Sequence, residues 1–134
     1  HALENSSSDN LSTTTWFAEW MRAIYARNLS KLVQLADQFD GLAKENQKNI
    51  LSYSLHIFRQ CLYQISDAGA LIKSLEKEKA FVDNFSKTLN TEKIATMTEK
   101  ISEVHYHLER NARAKMVHLD LSLYLLRVFH AKNS

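Results

Sequence analysis

The sequence predicts an all-α fold, a helical bundle of five to six helices, and three observations carry that prediction. The 134 residues contain no proline and only two glycines, Gly41 and Gly69, so little interrupts a helix and little offers the tight turns of hairpins. Apolar residues recur at intervals of three and four along most of the chain. The stretch from Glu109 to His130 then reads as a helix that is apolar on two sides, with Met116, Leu119, Leu123 and Leu126 on one stripe and Val117, Leu121, Tyr124 and Val128 on the other. A domain of this size buries one such stripe in its core. The second is either another core contact or a surface for a neighbouring subunit.

Residues 1–11, HALENSSSDNL, read as the end of a linker, and a start on His1 implies a piece of something longer. Residues 12–134 form one helical domain, long enough for a core and too short for two. The first helix is expected to start at the hydroxyl cluster Ser12 to Thr15 and run to about Arg27, burying Phe17, Trp20, Met21 and Ile24. Ser30 caps a second helix through about Phe39, which buries Leu32, Val33, Leu35 and Ala36 and ends near Gly41. The short connection makes these two antiparallel.

The third helix, about Lys44 to Ile65, carries a broad apolar arc of Ile50, Leu51, Leu55, Ile57, Phe58, Cys61, Leu62 and Ile65, which suits a central position. His56, Arg59 and Tyr63 take its other side. Ser66 to Lys73, with Gly69, reads as a loop, and Ser74 caps a fourth helix with Glu76 and Glu78 in its first turn and Ala80, Phe81 and Phe85 as anchors. From Asn90 or Thr91 a fifth helix repeats Ile94, Met97, Ile101, Val104 and Leu108 in steps of three and four, a narrow packing seam with Tyr106 on its far side.

Composition excludes several functions. The hydrophobic share of 45% and charged share of 24% fit a globular domain, and no apolar run approaches the ~20 residues of a membrane span. Seventeen basic and fifteen acidic residues, interleaved in sign, give a formal charge of +2, a poor basis for direct nucleic-acid binding. A lone cysteine, Cys61, makes no internal disulfide and suits a reducing cytoplasm, the expected location.

No catalytic chemistry emerges. His105 and His107 are two apart and so point about 200° from one another on a helix, whereas a helical ligand pair needs a spacing of three or four. His56, His118 and His130 meet only if the fold brings them together, so solvated or capping histidines are expected, with no metal and no cofactor. Cys61 and Ser54 lie within an apolar arc without a neighbouring base and read as small core residues. Without glycines there is no phosphate loop, and neither an enzyme nor a small-molecule substrate is indicated. Aromatic residues at the margins of the stripes tilt toward association, since such side chains bury much area at low entropy cost. The candidate interface set is Trp16, Tyr63, Tyr106, Val117, Leu121, Tyr124 and Val128.

Asn111, Ala114, Lys115, Met116 and Val117, followed by Leu119, Asp120, Leu121, Ser122 and Leu123, resemble the N-x-N-A-K-(apolar)-x-x-x-D-L-S-L segment that closes the delta-prime subunits of bacterial DNA polymerase III clamp loaders. WFAEWMRAIYARN, Trp16 to Asn28, looks like the first collar helix of that family, and KENQKNILSYSLHIFRQCL, Lys44 to Leu62, is similar to its long third one. The agreement spans nearly everything after residue 12; Arg113 stands where the family carries Asn, and His118 where it carries an aromatic. The resemblance implies a C-terminal collar domain that oligomerises with gamma/tau and delta subunits into a ring for DNA replication, while separate modules bind ATP, clamp and DNA. The alternative is a free-standing bundle acting as a regulatory adaptor or binding a small apolar ligand.

Overall fold

The computed structural model describes residues 2–66 and 76–131, with the side chains of residues 2–12, 76 and 77 left aside. Among the described residues it is all helix: α1 (Ala2–Ala26), α2 (Leu29–Asp40), α3 (Lys44–Ile65), α4 (Glu76–Ser86), α5 (Thr91–Glu109) and α6 (Ala114–Phe129). The expected all-α bundle is therefore what the chain forms. The loop read over Ser66 to Lys73 and the cap read at Ser74 lie, past Ser66 itself, outside the described residues.

Helix ends follow local chemistry, with departures from the expected signals. α1 begins at Ala2 rather than in the Ser12 to Thr15 cluster; nothing in residues 2–11 is proline or glycine, so no residue type there stops a helix. The cap of α2 is Asn28 and not Ser30: the Asn28 side chain accepts from the Lys31 amide at 3.2 Å, and Ser30 already lies inside the helix. α5 starts as expected, with the Asn90 side chain accepting from the Lys93 amide at 2.7 Å. The stretch read as one helix from Glu109 splits, because Asn111 takes a left-handed φ of 65° and α6 begins only at Ala114.

Two C-termini close by the same device. Beyond α1, Arg27 adopts a φ of 56° and the Asn28 amide reaches back to the Ala23 carbonyl at 2.9 Å; beyond α5, Asn111 adopts its left-handed turn and the Ala112 amide reaches the His107 carbonyl at 3.2 Å. These are glycine-type terminations made without glycine. Asparagine tolerates the left-handed region and here also accepts from Lys44 Nζ at 2.9 Å, which fastens the start of α3 to the α5–α6 turn. Arg27 has no such compensation and carries the steric cost of its Cβ.

α1, α3 and α6 each pack on three other helices: α1 on α2, α3 and α6; α3 on α1, α4 and α5; α6 on α1, α2 and α5. One core runs through them, in which Phe17, Trp20, Ile24, Leu32, Leu35, Leu51, Phe58, Cys61, Met97, Ile101 and Leu125 are fully or nearly fully enclosed. The α5 seam of Ile94, Met97, Ile101, Val104 and Leu108 is buried at every position expected of it. On α3, Leu55 and Leu62 are only half-buried and Ile65 is exposed, since the apolar arc is wider than the contact it makes. On α4, Ala80 is exposed and Val82 takes its place beside Phe81 and Phe85. The nearly buried Glu78 accepts from the Tyr53 hydroxyl at 2.6 Å and lies 3.6 Å from His56 Nε2, tying α4 to α3. Burial first, and then this carboxylate, raise the Tyr53 phenol above its usual range.

Ile101→Ala is expected to destabilise the domain by ~2 to 5 kcal/mol through lost burial and a residual cavity, and half-buried Leu55→Ala by clearly less. Urea unfolding of the two variants checks the order, and equal costs would contradict it. Arg27→Gly is expected to stabilise the fold by about 1 kcal/mol, because glycine adopts the positive φ without penalty. A lower urea midpoint for that variant would show that the arginine contributes more than its backbone costs.

Candidate interaction surface

α6 turns neither expected stripe squarely inward. Its buried ridge is His118, Leu121, Ser122, Leu125 and Phe129, which lies between the two stripes on the helical wheel. Two polar residues disguise this ridge in the sequence, and each is buried for a specific reason.

Ser122 Oγ accepts from the indole of Trp20 at 2.8 Å and donates to the His118 carbonyl at 3.0 Å, so a hydroxyl inside the core is fully used. His118 fills an aromatic socket: its ring stacks on Phe39 with centroids 4.4 Å apart, and lies 4.7 Å from Trp20 and 5.3 Å from Trp16. The expectation of a solvated or capping histidine fails here, because the imidazole acts as a flat ring in a site that wants one. Both of its nitrogens are buried without a hydrogen-bond partner. Burial pushes its pKa down to about 3, which keeps it neutral at pH 7.

The contacts fix how three helices run. Trp16 meets His118, Trp20 meets Ser122 and Ile24 meets His130, so α1 and α6 are parallel. Trp16 donates to Gln38 at 3.2 Å and Glu19 pairs with Lys31 at 3.8 Å, so α2 runs against α1 and therefore against α6. The Lys115–Asp37 ion pair, at 2.7 Å, sets the register of α2 on α6. Four residues back from Asp37 is Val33 and four on from Lys115 is Leu119; a further four lead to Leu29 and Leu123. This spacing aligns the outward sides of both helices along one seam.

That seam is apolar and open. Met116 is 61% exposed and Leu123 38%; on α2, Leu29, level with Leu123, is 57% exposed, and Val33, level with Leu119, is 42% exposed. Leu119 and Leu126 lie half-buried on the same α6 stripe. Val33 was expected in the core. The buried ridge of α2 is Leu32, Leu35, Ala36 and Phe39, and it leaves Leu29 and Val33 to one side.

The opposite flank of α6 is a second core contact, made with α5. Leu121 is fully enclosed and offers nothing to a partner, which corrects its place in the candidate interface; its side chain fills the ridge where α6 meets the core. Val117 and Val128 are half-buried and packed against that core. Tyr124 is half-buried, with Lys100 Nζ 5.0 Å from its ring centroid, and Lys100 also pairs with Asp120 at 3.5 Å. Trp16 is half-buried in the aromatic socket, Tyr63 is half-buried on α3, and only Tyr106 is well exposed, beneath the Arg110 guanidinium at 4.0 Å. The candidate residues thus do not form one surface. The surface that exists joins the other α6 stripe to two residues of α2, and the spacing of the α2 ridge was the signal in the sequence that marked Leu29 and Val33 as off-core.

Cys61 is enclosed, and burial pushes its thiol up to about 12; Ser54 donates to its own helix at the Ile50 carbonyl, 2.8 Å away. No three His, Cys, Asp or Glu side chains among the described residues converge as metal ligands, and no helix there is long and apolar enough to cross a membrane. Comparison with known proteins returns no match to a family model, to a curated protein or to a solved structure.

His118 ties stability to pH. Its folded pKa lies below the ordinary value of 6.5, so between 6.5 and about 3 the unfolded chain takes up a proton that the fold refuses. Stability from this group is intact above pH 6.5 and is lost as pH falls, by at most ~1.4 kcal/mol per unit. His118→Phe is expected to flatten that acid limb and to raise stability at neutral pH by removing two unpartnered nitrogens. Parallel stability–pH curves for the two proteins would contradict this.

Proposed function

We propose that this chain is an assembly domain: the C-terminal oligomerisation collar of a clamp-loader subunit of the delta-prime type, helping to hold a pentameric sliding-clamp loader together for DNA replication. The observation that carries the reading is the open apolar seam of Leu29, Val33, Met116 and Leu123 along α2 and α6. Contiguous apolar surface on a small domain marks a place where a partner sits. The seam lies on a packed base, since the ridge beneath α6 is closed by the His118 socket and the Trp20–Ser122 bond.

The residues that carry the family resemblance have structural work consistent with it. Asn111 makes the left-handed turn into α6 and receives Lys44, Lys115 pairs with Asp37, and Leu121 and Ser122 seat the helix in the core. Met116 and Leu123, from the same segment, face outward. A segment of this kind both anchors the last helix and presents it. Binding then proceeds by burial: a standard interface removes ~800 Å² per partner from water, and the seam would form its dry centre, with the Lys115–Asp37 pair at its rim. The partners on this reading are gamma/tau and delta subunits, in the cytoplasm.

The test is the double variant Met116→Glu, Leu123→Glu in the full-length protein. Both positions are exposed, so unfolding should stay close to that of the parent. Binding to the clamp-loader partners is expected to weaken by ~2 kcal/mol or more, on the order of thirtyfold, since two carboxylates would have to be desolvated. Undiminished co-purification with delta and gamma/tau would exclude the seam as the assembly surface.

A further inference from the structure

α1 and α4 both pack on α3 and leave a cleft between them. At the end nearest the C-terminus of α6 it opens into a hollow of about 410 Å³, a size in the range of small-molecule sites. Met21, Phe85 and Phe129 form its floor, all nearly buried, with the rings of Phe85 and Phe129 stacked 5.9 Å apart. Tyr25 stands as an exposed wall, its ring edge-on to Phe129 at 5.6 Å. The rim is polar: Arg22, Asn84 and Thr88.

Arg22 is the informative residue. It makes no ion pair or hydrogen bond among the described residues, and it borders both this hollow and an adjoining one of about 440 Å³. The carboxylates of that second hollow are already engaged, Glu19 with Lys31 at 3.8 Å and Glu78 with Tyr53 at 2.6 Å. The cleft thus pairs an apolar, aromatic floor with an uncompensated guanidinium at its edge.

We propose that this cleft binds a small amphiphilic carboxylate, its hydrocarbon or aromatic body lying on Met21, Phe85 and Phe129 and its carboxylate on the Arg22 guanidinium. A planar guanidinium matches a carboxylate bidentately, whereas a neutral head forfeits the charge-assisted bonds and a cationic one is repelled. Asn84 lines the same hollow, where its side-chain amide can donate to the same head; the Thr88 hydroxyl already donates to the Phe85 carbonyl at 2.6 Å. None of these residues belongs to the α2–α6 seam, so the site does not rest on the assembly reading, and either can fail without the other.

Calorimetric titration of the protein with dodecanoate, kept below its micellar concentration, tests this, with dodecanol and dodecyltrimethylammonium as matched heads. Saturable one-to-one binding of dodecanoate is expected, at least about tenfold tighter than dodecanol. Arg22→Gln should bring dodecanoate down to the dodecanol level, and Asn84→Trp, which fills the mouth, should weaken both; unchanged thermal unfolding shows that the two variants remain folded. The comparison of heads on the unaltered protein needs no variant at all. Absence of saturable binding, equal affinity for acid and alcohol, discrimination that survives Arg22→Gln, or full binding to Asn84→Trp would each overturn the proposal.

Discussion

The structure depends on one junction, where the first and last helices meet. Trp20 on α1 and Ser122 on α6, 102 residues apart, share a buried hydrogen bond of 2.8 Å, and the His118 ring beside them is enclosed by Trp16, Trp20 and Phe39. Three helices converge there. Because the hydrogen bond is directional and the socket is flat, α6 cannot rotate about its axis without losing both. A purely aliphatic contact would allow such rotation at lower cost. The unpartnered imidazole nitrogens are the cost of the arrangement, and the rings packed around them offset it.

Fixing the rotation of α6 decides what the rest of its circumference does. One flank closes on α5, where Lys100 lies over Tyr124 and pairs with Asp120. The other flank lies beside α2, which is only 12 residues long and buries its own ridge of Leu32, Leu35, Ala36 and Phe39. Nothing remains to cover Met116 and Leu123, or Leu29 and Val33 on α2, among the described residues. The open seam is thus a consequence of core geometry rather than an isolated feature, and the same contacts that set the orientation of α6 leave the surface available. Preformed surfaces lose little conformational entropy on association.

Sequence periodicity made the regular parts of this fold legible. α3 spans Lys44–Ile65 as its apolar arc indicates, and the α5 seam is buried from Ile94 to Leu108, because single-ridge packing leaves a clean spacing of three and four. α6 was legible in its excess of apolar residues and not in its orientation. A wheel scores His118 and Ser122 as polar, yet one is buried as a ring and the other as a hydrogen-bonded link, and both depend on tryptophans about a hundred residues away. The same limit applied to the interface for Leu121, which belongs to the buried ridge that His118 and Ser122 disguise, whereas the ridge of Leu32, Leu35, Ala36 and Phe39 by itself leaves Val33 to one side. Left-handed turns at Arg27 and Asn111 were hidden for another reason, since neither residue is the glycine that usually signals them.

The most direct measurement of whether the seam meets a partner is hydroxyl-radical footprinting of Met116, whose exposed thioether oxidises readily, in the protein alone and in its mixture with the clamp-loader subunits proposed as partners. Strong protection of Met116 and Leu123 on assembly, with Tyr106 on α5 labelled equally in both states, is the expected result. Unchanged oxidation of Met116 in the assembled complex would show that this face stays in water and that assembly uses another surface.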